Sequence, residues 1–183
     1  YINFAIENCG IDLIGENKVQ EFLSKKDSLN LESVEKHLIG HLQTNKVKKI
    51  VGEVDMIQSV DSLRVAQSIS NEALKIGKTA NVLLEINIGE EGSKTGFDKI
   101  EFEESLNQIS LLPNIKVNGL MTIPPICENT LELEKYFDKK FYCQIKSILQ
   151  KMKFTANPRL FVVSDLAGNY GRELKMSIEL FII

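Results

Sequence analysis

The stretch Asn81-Val82-Leu83-Leu84-Glu85-Ile86-Asn87-Ile88 constrains the fold more than any other. Its nearly continuous apolar run is the pattern of a strand buried on both faces, which requires parallel neighbours and a covering layer of helices. The rest of the chain supplies that context. Residues 1–8 suit the last turns of a helix ending at Cys9-Gly10. Residues 11–14 read as a short strand, and Gly15-Glu16-Asn17 turns it into a helix running to about residue 26, with Asn17 as its cap. A strand at 37–42 leads into a helix at 45–52, opened by Thr44-Asn45. A strand at 56–60 leads through the cap Asp61-Ser62 into a helix at 63–76, ended by Gly77.

Beyond the central strand, residues 89–96 read as a loop. Ile100, Leu106 and Ile109 mark a helix within 97–111, stopped by Pro113. Residues 115–123 form another strand, residues 131–152 carry the longest helical pattern, and residues 160–163 and 178–183 have strand character. Strands alternating with helices specify an α/β fold with parallel pairing and right-handed crossovers. A closed barrel and an open doubly wound sheet both satisfy this. No Gly-x-Gly-x-x-Gly follows a first strand, which speaks against a dinucleotide fold. About seven strands are readable, one short of the eight of a (β/α)8 barrel.

At 183 residues the chain is long enough for one domain with a substantial core, and we expect a single domain over residues 1–183. Its formal net charge of −3 provides no global field for nucleic acid or an anionic membrane. Cys9, Cys127 and Cys143 show no Cys-x-x-Cys spacing, which argues against a disulfide framework or a zinc site and fits a reducing cytoplasm. No apolar run reaches transmembrane length, and the first residues lack the layout of a signal peptide. The first residue is Tyr1, so the natural start is expected upstream.

The segment His37-Leu38-Ile39-Gly40-His41-Leu42-Gln43-Thr44-Asn45-Lys46 is a strand end followed by a helix start, where α/β folds hold their ligands. Gly15-Glu16-Asn17-Lys18-Val19-Gln20-Glu21 precedes it, and Ser93-Lys94-Thr95-Gly96 and Gly119-Leu120-Met121 follow. With these motifs in this order, the chain resembles the pyridoxal phosphate homeostasis proteins. The resemblance implies a (β/α)8 barrel like the N-terminal domain of alanine racemase, carrying pyridoxal 5'-phosphate (PLP) on a lysine. The matching lysine position falls just ahead of Tyr1, on a first strand missing from this chain. No residue present takes that role, so the barrel is expected to be incomplete at its N-terminus and to hold PLP by noncovalent contacts.

The resemblance also places Asn17 near the cofactor, although the residue alone reads equally well as a helix cap. On the strand reading, His37 points into the barrel as a hydrogen-bonding residue near the cofactor, with His41 beyond the Gly40 bend, near the mouth. Met121 matches the family's Gly-Leu-Met, and its thioether suits a pyridine ring, as it also suits a strand core. Ser59, near the end of its strand, is a weaker candidate of the same kind. Ser164 matches a family serine that helps hold the phosphate. Residues 168–183 lack the family's Arg-Ile-Gly-Thr, and Arg172 stands in the wrong context to replace its arginine.

Two tempting motifs fail. His37 and His41 lie four residues apart, but on a strand this separates them by roughly 13 Å, too far to share one zinc. The segment from Gly89 to Gly96 superficially suggests a phosphate loop, yet Ser93 intervenes before Lys94, and Glu90 and Glu91 would repel phosphates. The resemblance places Ser93-Lys94-Thr95-Gly96 as a loop at the mouth and not at the aldimine site, so Lys94 is read as electrostatic or structural. No acid/base pair flanks the pocket, so no catalytic residue is assigned and no metal is expected. The expected function is a PLP carrier in cofactor homeostasis, with PLP-dependent enzymes as transient partners and a monomeric state. The alternatives are a PLP-dependent amino-acid racemase and a barrel binding another phosphorylated metabolite.

Overall fold

The computed structural model describes residues 1–88, 95–98 and 102–123, and the backbone of residues 159–163 and 178–181. The elements are α1 (Ile2–Cys9), β1 (Leu13–Glu16), α2 (Val19–Lys25), β2 (Glu35–Leu38), α3 (Val47–Ile50), β3 (Met56–Val60), α4 (Leu63–Lys75), β4 (Ala80–Glu85), α5 (Phe102–Ser110), β5 (Ile115–Thr122), β6 (Arg159–Val163) and β7 (Ile178–Phe181). The expected helix at 131–152 lies outside the described residues.

Among the described residues, seven strands form one sheet whose spatial order follows the chain from β1 to β7. Each neighbouring pair is parallel. A doubly wound sheet reverses its strand order at a switch point. No reversal occurs among the described strands, which is the winding of a barrel.

The two faces of the sheet carry different side chains. Leu38, Ile57, Val82, Leu84, Val117 and Leu120 join one apolar core with Phe22 of α2, Ile50 of α3, Ile69 of α4 and Leu106 of α5. This is the layer between strands and helices. Alternation then turns His37, Gln58, Leu83, Glu85 and Met121 to the other, inward face, where Met56, Leu83 and Met121 form a separate small cluster.

Several local expectations need correction. β1 begins at Leu13, not at residue 11, and runs through Gly15 and Glu16, because Gly15 and Glu16 pair with His37 and Leu38. The turn into α2 is thereby delayed. Lys18 takes the N-cap position without a side-chain hydrogen bond, and Asn17 caps nothing. β2 ends at Leu38, and the helix expected at 45–52 is a 3-10 turn, Thr44–Lys46, followed by the single turn of α3. Gln43 precedes that turn, and no side-chain cap forms there. At α4 the expected cap is present, Ser62 Oγ accepting from Val65 N at 3.4 Å.

Candidate functional site

The C-terminal ends of β1, β2 and β3 are joined through Gly40. Ser59 Oγ donates to the Gly40 carbonyl at 2.6 Å. On its other side, Gly40 packs so tightly on the Asn17 backbone that a β-carbon there would overlap the Asn17 carbonyl. β3 carries a register irregularity between Ile57 and Val60, which places Ser59 in the irregular segment. Asn17 and Ser59 are thus brought to one rim by backbone contacts, with the Asn17 side chain exposed and the Ser59 hydroxyl engaged with Gly40.

Below that rim, His37 is buried on the inward face. Its Nδ1 lies 2.7 Å from the amide nitrogen of Gln58, and its Nε2 lies 3.0 Å from a Glu35 carboxylate oxygen. Gln58 is fully buried, and its Oε1 has no hydrogen-bond partner among the described residues. Met121 is fully buried beside Leu83 and Met56. His37 and Met121 therefore share the inward face. Ser164 and Lys94 lie outside the described residues.

The rim of β4 carries a second polar group. Glu85 is only 4% exposed, and its Oε1 accepts from Thr95 Oγ1 at 2.7 Å. Burial pushes the Glu85 carboxyl above its ordinary range, and nearby Asp61 adds to this. The Thr95 hydroxyl and His41 oppose it. Gly96 is held at φ 115 with its α-carbon against the backbone of Glu85, Ile86 and Asn87, a conformation and a proximity that exclude a side chain. Phe97 N bonds Glu85 O at 2.8 Å, which ties this segment to the strand. His41 Nδ1 lies 2.8 Å from the largely buried Asp61 carboxylate. Between them and Thr95 opens a cleft of about 440 Å³, also lined by Gln43, Thr44 and Arg64.

Gln58, Glu85 and the Asp61–His41 pair escaped sequence reasoning. A signal existed for two of them. Gln58 interrupts the apolar strand Met56–Val60, and Glu85 interrupts the run from Val82 to Ile88. A polar residue inside a strand that is otherwise wholly buried needs a partner or a purpose.

The model of the "Alanine racemase, N-terminal domain" family matches residues 3–164. The chain belongs to that family. Within it, the chain is 42% identical over 153 residues to the pyridoxal phosphate homeostasis protein of Aquifex aeolicus, covering 84% of this chain and 66% of that protein. Against the protein of the same name from Helicobacter pylori, identity is 37% over 144 residues, covering 76% and 65%. The chain thus spans less than two thirds of the length of these curated relatives.

Solved structures of similar fold agree with this winding. PipY of Synechococcus elongatus, solved with PLP bound, superposes with a TM-score of 0.71 at 29% identity, over 81% of this chain and 69% of that one. Alanine racemase of Clostridium difficile superposes with a TM-score of 0.79 over 98% of this chain and 45% of that one. At 16% identity that likeness speaks for the fold alone. The (β/α)8 architecture of the alanine racemase N-terminal domain is therefore the fold of this family member.

Proposed function

We propose that this chain binds PLP inside the barrel and serves intracellular PLP homeostasis as a carrier, with no turnover of its own. The 42% identity to the Aquifex protein and the likeness to PLP-bound PipY support the ligand. The observation that carries the reading is the inward face itself. It pairs a buried polar set, His37 and Gln58 with its open acceptor, with the apolar cluster of Met56, Leu83 and Met121. A flat heteroaromatic ring with a polar edge fits such a surface.

In this reading Met121 packs against the ring, Gln58, held by His37, faces its polar edge, and the rim built on Asn17, Gly40 and Ser59 closes over one side. Ser164 takes part in holding the phosphate, as the family motif implies. When bound, PLP supplies an aldehyde that captures amines. In this reading the chain retains PLP by noncovalent contacts.

The same reading includes one domain, a monomer, cytoplasmic residence and transient encounters with PLP-dependent enzymes. A net charge of −3 offers nothing to nucleic acid. Among the described residues, no helix is long and apolar enough to cross a membrane.

The test is to load the chain with PLP, desalt it, measure retained cofactor, and then treat it with borohydride and map the peptides. We expect about one PLP per chain from one barrel site, released on denaturation, with no reduced adduct and no exchange of α-hydrogen on added amino acids. An adduct on Lys46 or Lys94 overturns noncovalent binding. Rapid α-hydrogen exchange favours a racemase, and failure to retain PLP favours another phosphorylated metabolite.

A further inference from the structure

Gln58 sits wholly buried in the middle of β3, on the face turned away from the helices. Its side chain is the last member of a line that begins at Glu35 and passes through the ring of His37. The carboxylate of Glu35 lies 3.0 Å from Nε2 without a hydrogen bond forming there, and its negative charge favours the proton on that nitrogen. Nδ1 is then the lone-pair nitrogen. At 2.7 Å it takes an N–H from the Gln58 amide.

With the lone pair on Nδ1, the amide presents its NH2 group to the ring. The NH2 group is committed to His37, and the carbonyl oxygen is left with no partner among the described residues. Buried amide oxygens are almost always satisfied, because burial strips them of water and offers nothing in return. Among the described residues, Met56, Leu83 and Met121 form an apolar cluster on the same inward face, with Gly119 adding no side chain. An acceptor beside such a cluster suits a flat ring with a donor on its edge.

We propose that Gln58 Oε1 is the acceptor that reads the ring edge of the bound ligand, taking a hydrogen bond from a ring N–H or a phenolic O–H. Glu35 and His37 act as positioning residues that hold the amide in that orientation. The inference rests on the PLP reading above and deepens it, since PLP carries a proton on either the ring nitrogen or the 3-oxygen. It makes Gln58 a determinant of specificity for the ring, independent of the phosphate and of any covalent link.

The experiment compares three ligands on the full chain by equilibrium dialysis: PLP, its ring-N-methyl derivative and its 3-O-methyl derivative. Wild-type protein should bind one of the two derivatives about tenfold more weakly than PLP, the loss of one hydrogen bond. Gln58→Met should bind PLP and that same derivative equally. The wild-type comparison stands even where the variant folds poorly. A second readout is the side-chain amide resonance of Gln58, which should shift on addition of PLP and stay in place with the blocked derivative.

Equal binding of all three ligands by wild type overturns the proposal, and so does a penalty that persists unchanged in Gln58→Met, since that penalty is steric. An unmoved Gln58 resonance in PLP-saturated protein overturns it while leaving the cofactor reading intact. Wild-type protein that binds none of the three overturns the cofactor reading itself, and this inference with it.

Discussion

Gly40 and Asn17 meet backbone to backbone, so closely that even one added methyl on Gly40 would overlap the Asn17 carbonyl. The contact sets the loop after β2 against the loop after β1. The obstacle is main chain at the end of a paired strand, and it has little room to yield. Gly40→Ala should therefore destabilise the chain by about 1–3 kcal/mol, the usual range for forcing a carbon into a packed site. Chemical denaturation of wild type and variant checks this, and an unchanged midpoint would show that the two loops separate freely.

Glu16 lies nearly buried at the end of β1 and meets Lys25 Nζ of α2 at 2.6 Å. The hydrogen bond to Glu16 raises the Lys25 pKa against the opposing effect of burial. Lys25→Met leaves the Glu16 carboxylate without its closest cation and should cost about 1–3 kcal/mol. Lys25→Met combined with Glu16→Gln should recover most of that loss, because the buried charge is gone. A double-mutant cycle in urea measures the difference.

Glu85 gives the stability a pH dependence with a definite sign. Burial raises its carboxyl pKa, so the folded chain keeps a proton that the unfolded chain releases. Between the ordinary carboxyl value and the raised one, the folded state binds more protons, and stability falls as the pH rises through that window. Glu85→Gln keeps an acceptor for Thr95 and removes the ionisation. The gain in Tm over wild type should be larger at pH 8 than at pH 4, by thermal melts at the two pH values. An equal gain at both would place the pH dependence elsewhere.

The winding of the sheet was legible because buried parallel strands leave unbroken apolar runs, as in Val82-Leu83-Leu84, and because Ser62 and Gly77 punctuate α4 as their chemistry requires. The ends of β1 and β2 were not. Gly15 and Asn17 look like turn and cap residues, yet pairing of Gly15 and Glu16 with β2 carries the strand past them, a tertiary effect that local propensity does not encode. His37 was placed inward by its position in a strand. Its partner Gln58 comes from another strand across the sheet, and a hydrogen bond between β2 and β3 leaves no mark on spacing. Asp61 shows the same difficulty from another side. Its place just before a helix suggests only a cap, whereas the fold gives its carboxylate to His41.

Ser59 is the residue for which a structural and a ligand-binding role separate most cleanly. Its hydroxyl donates to the Gly40 carbonyl at 2.6 Å and so ties the end of β3 to the loop after β2. Ser59→Ala removes the donor from that carbonyl and should cost about 0.5–1.5 kcal/mol, the net worth of one hydrogen bond. Its side chain is fully buried, so little water reaches the site to compensate. If the hydroxyl serves only Gly40, the PLP affinity of the folded variant stays within about twofold of wild type, because less than half a kcal/mol passes to the ligand. A tenfold loss of affinity with an unchanged denaturation midpoint would reverse the assignment and make the serine a ligand contact. Both quantities can be measured on the same sample, by equilibrium dialysis and by urea titration.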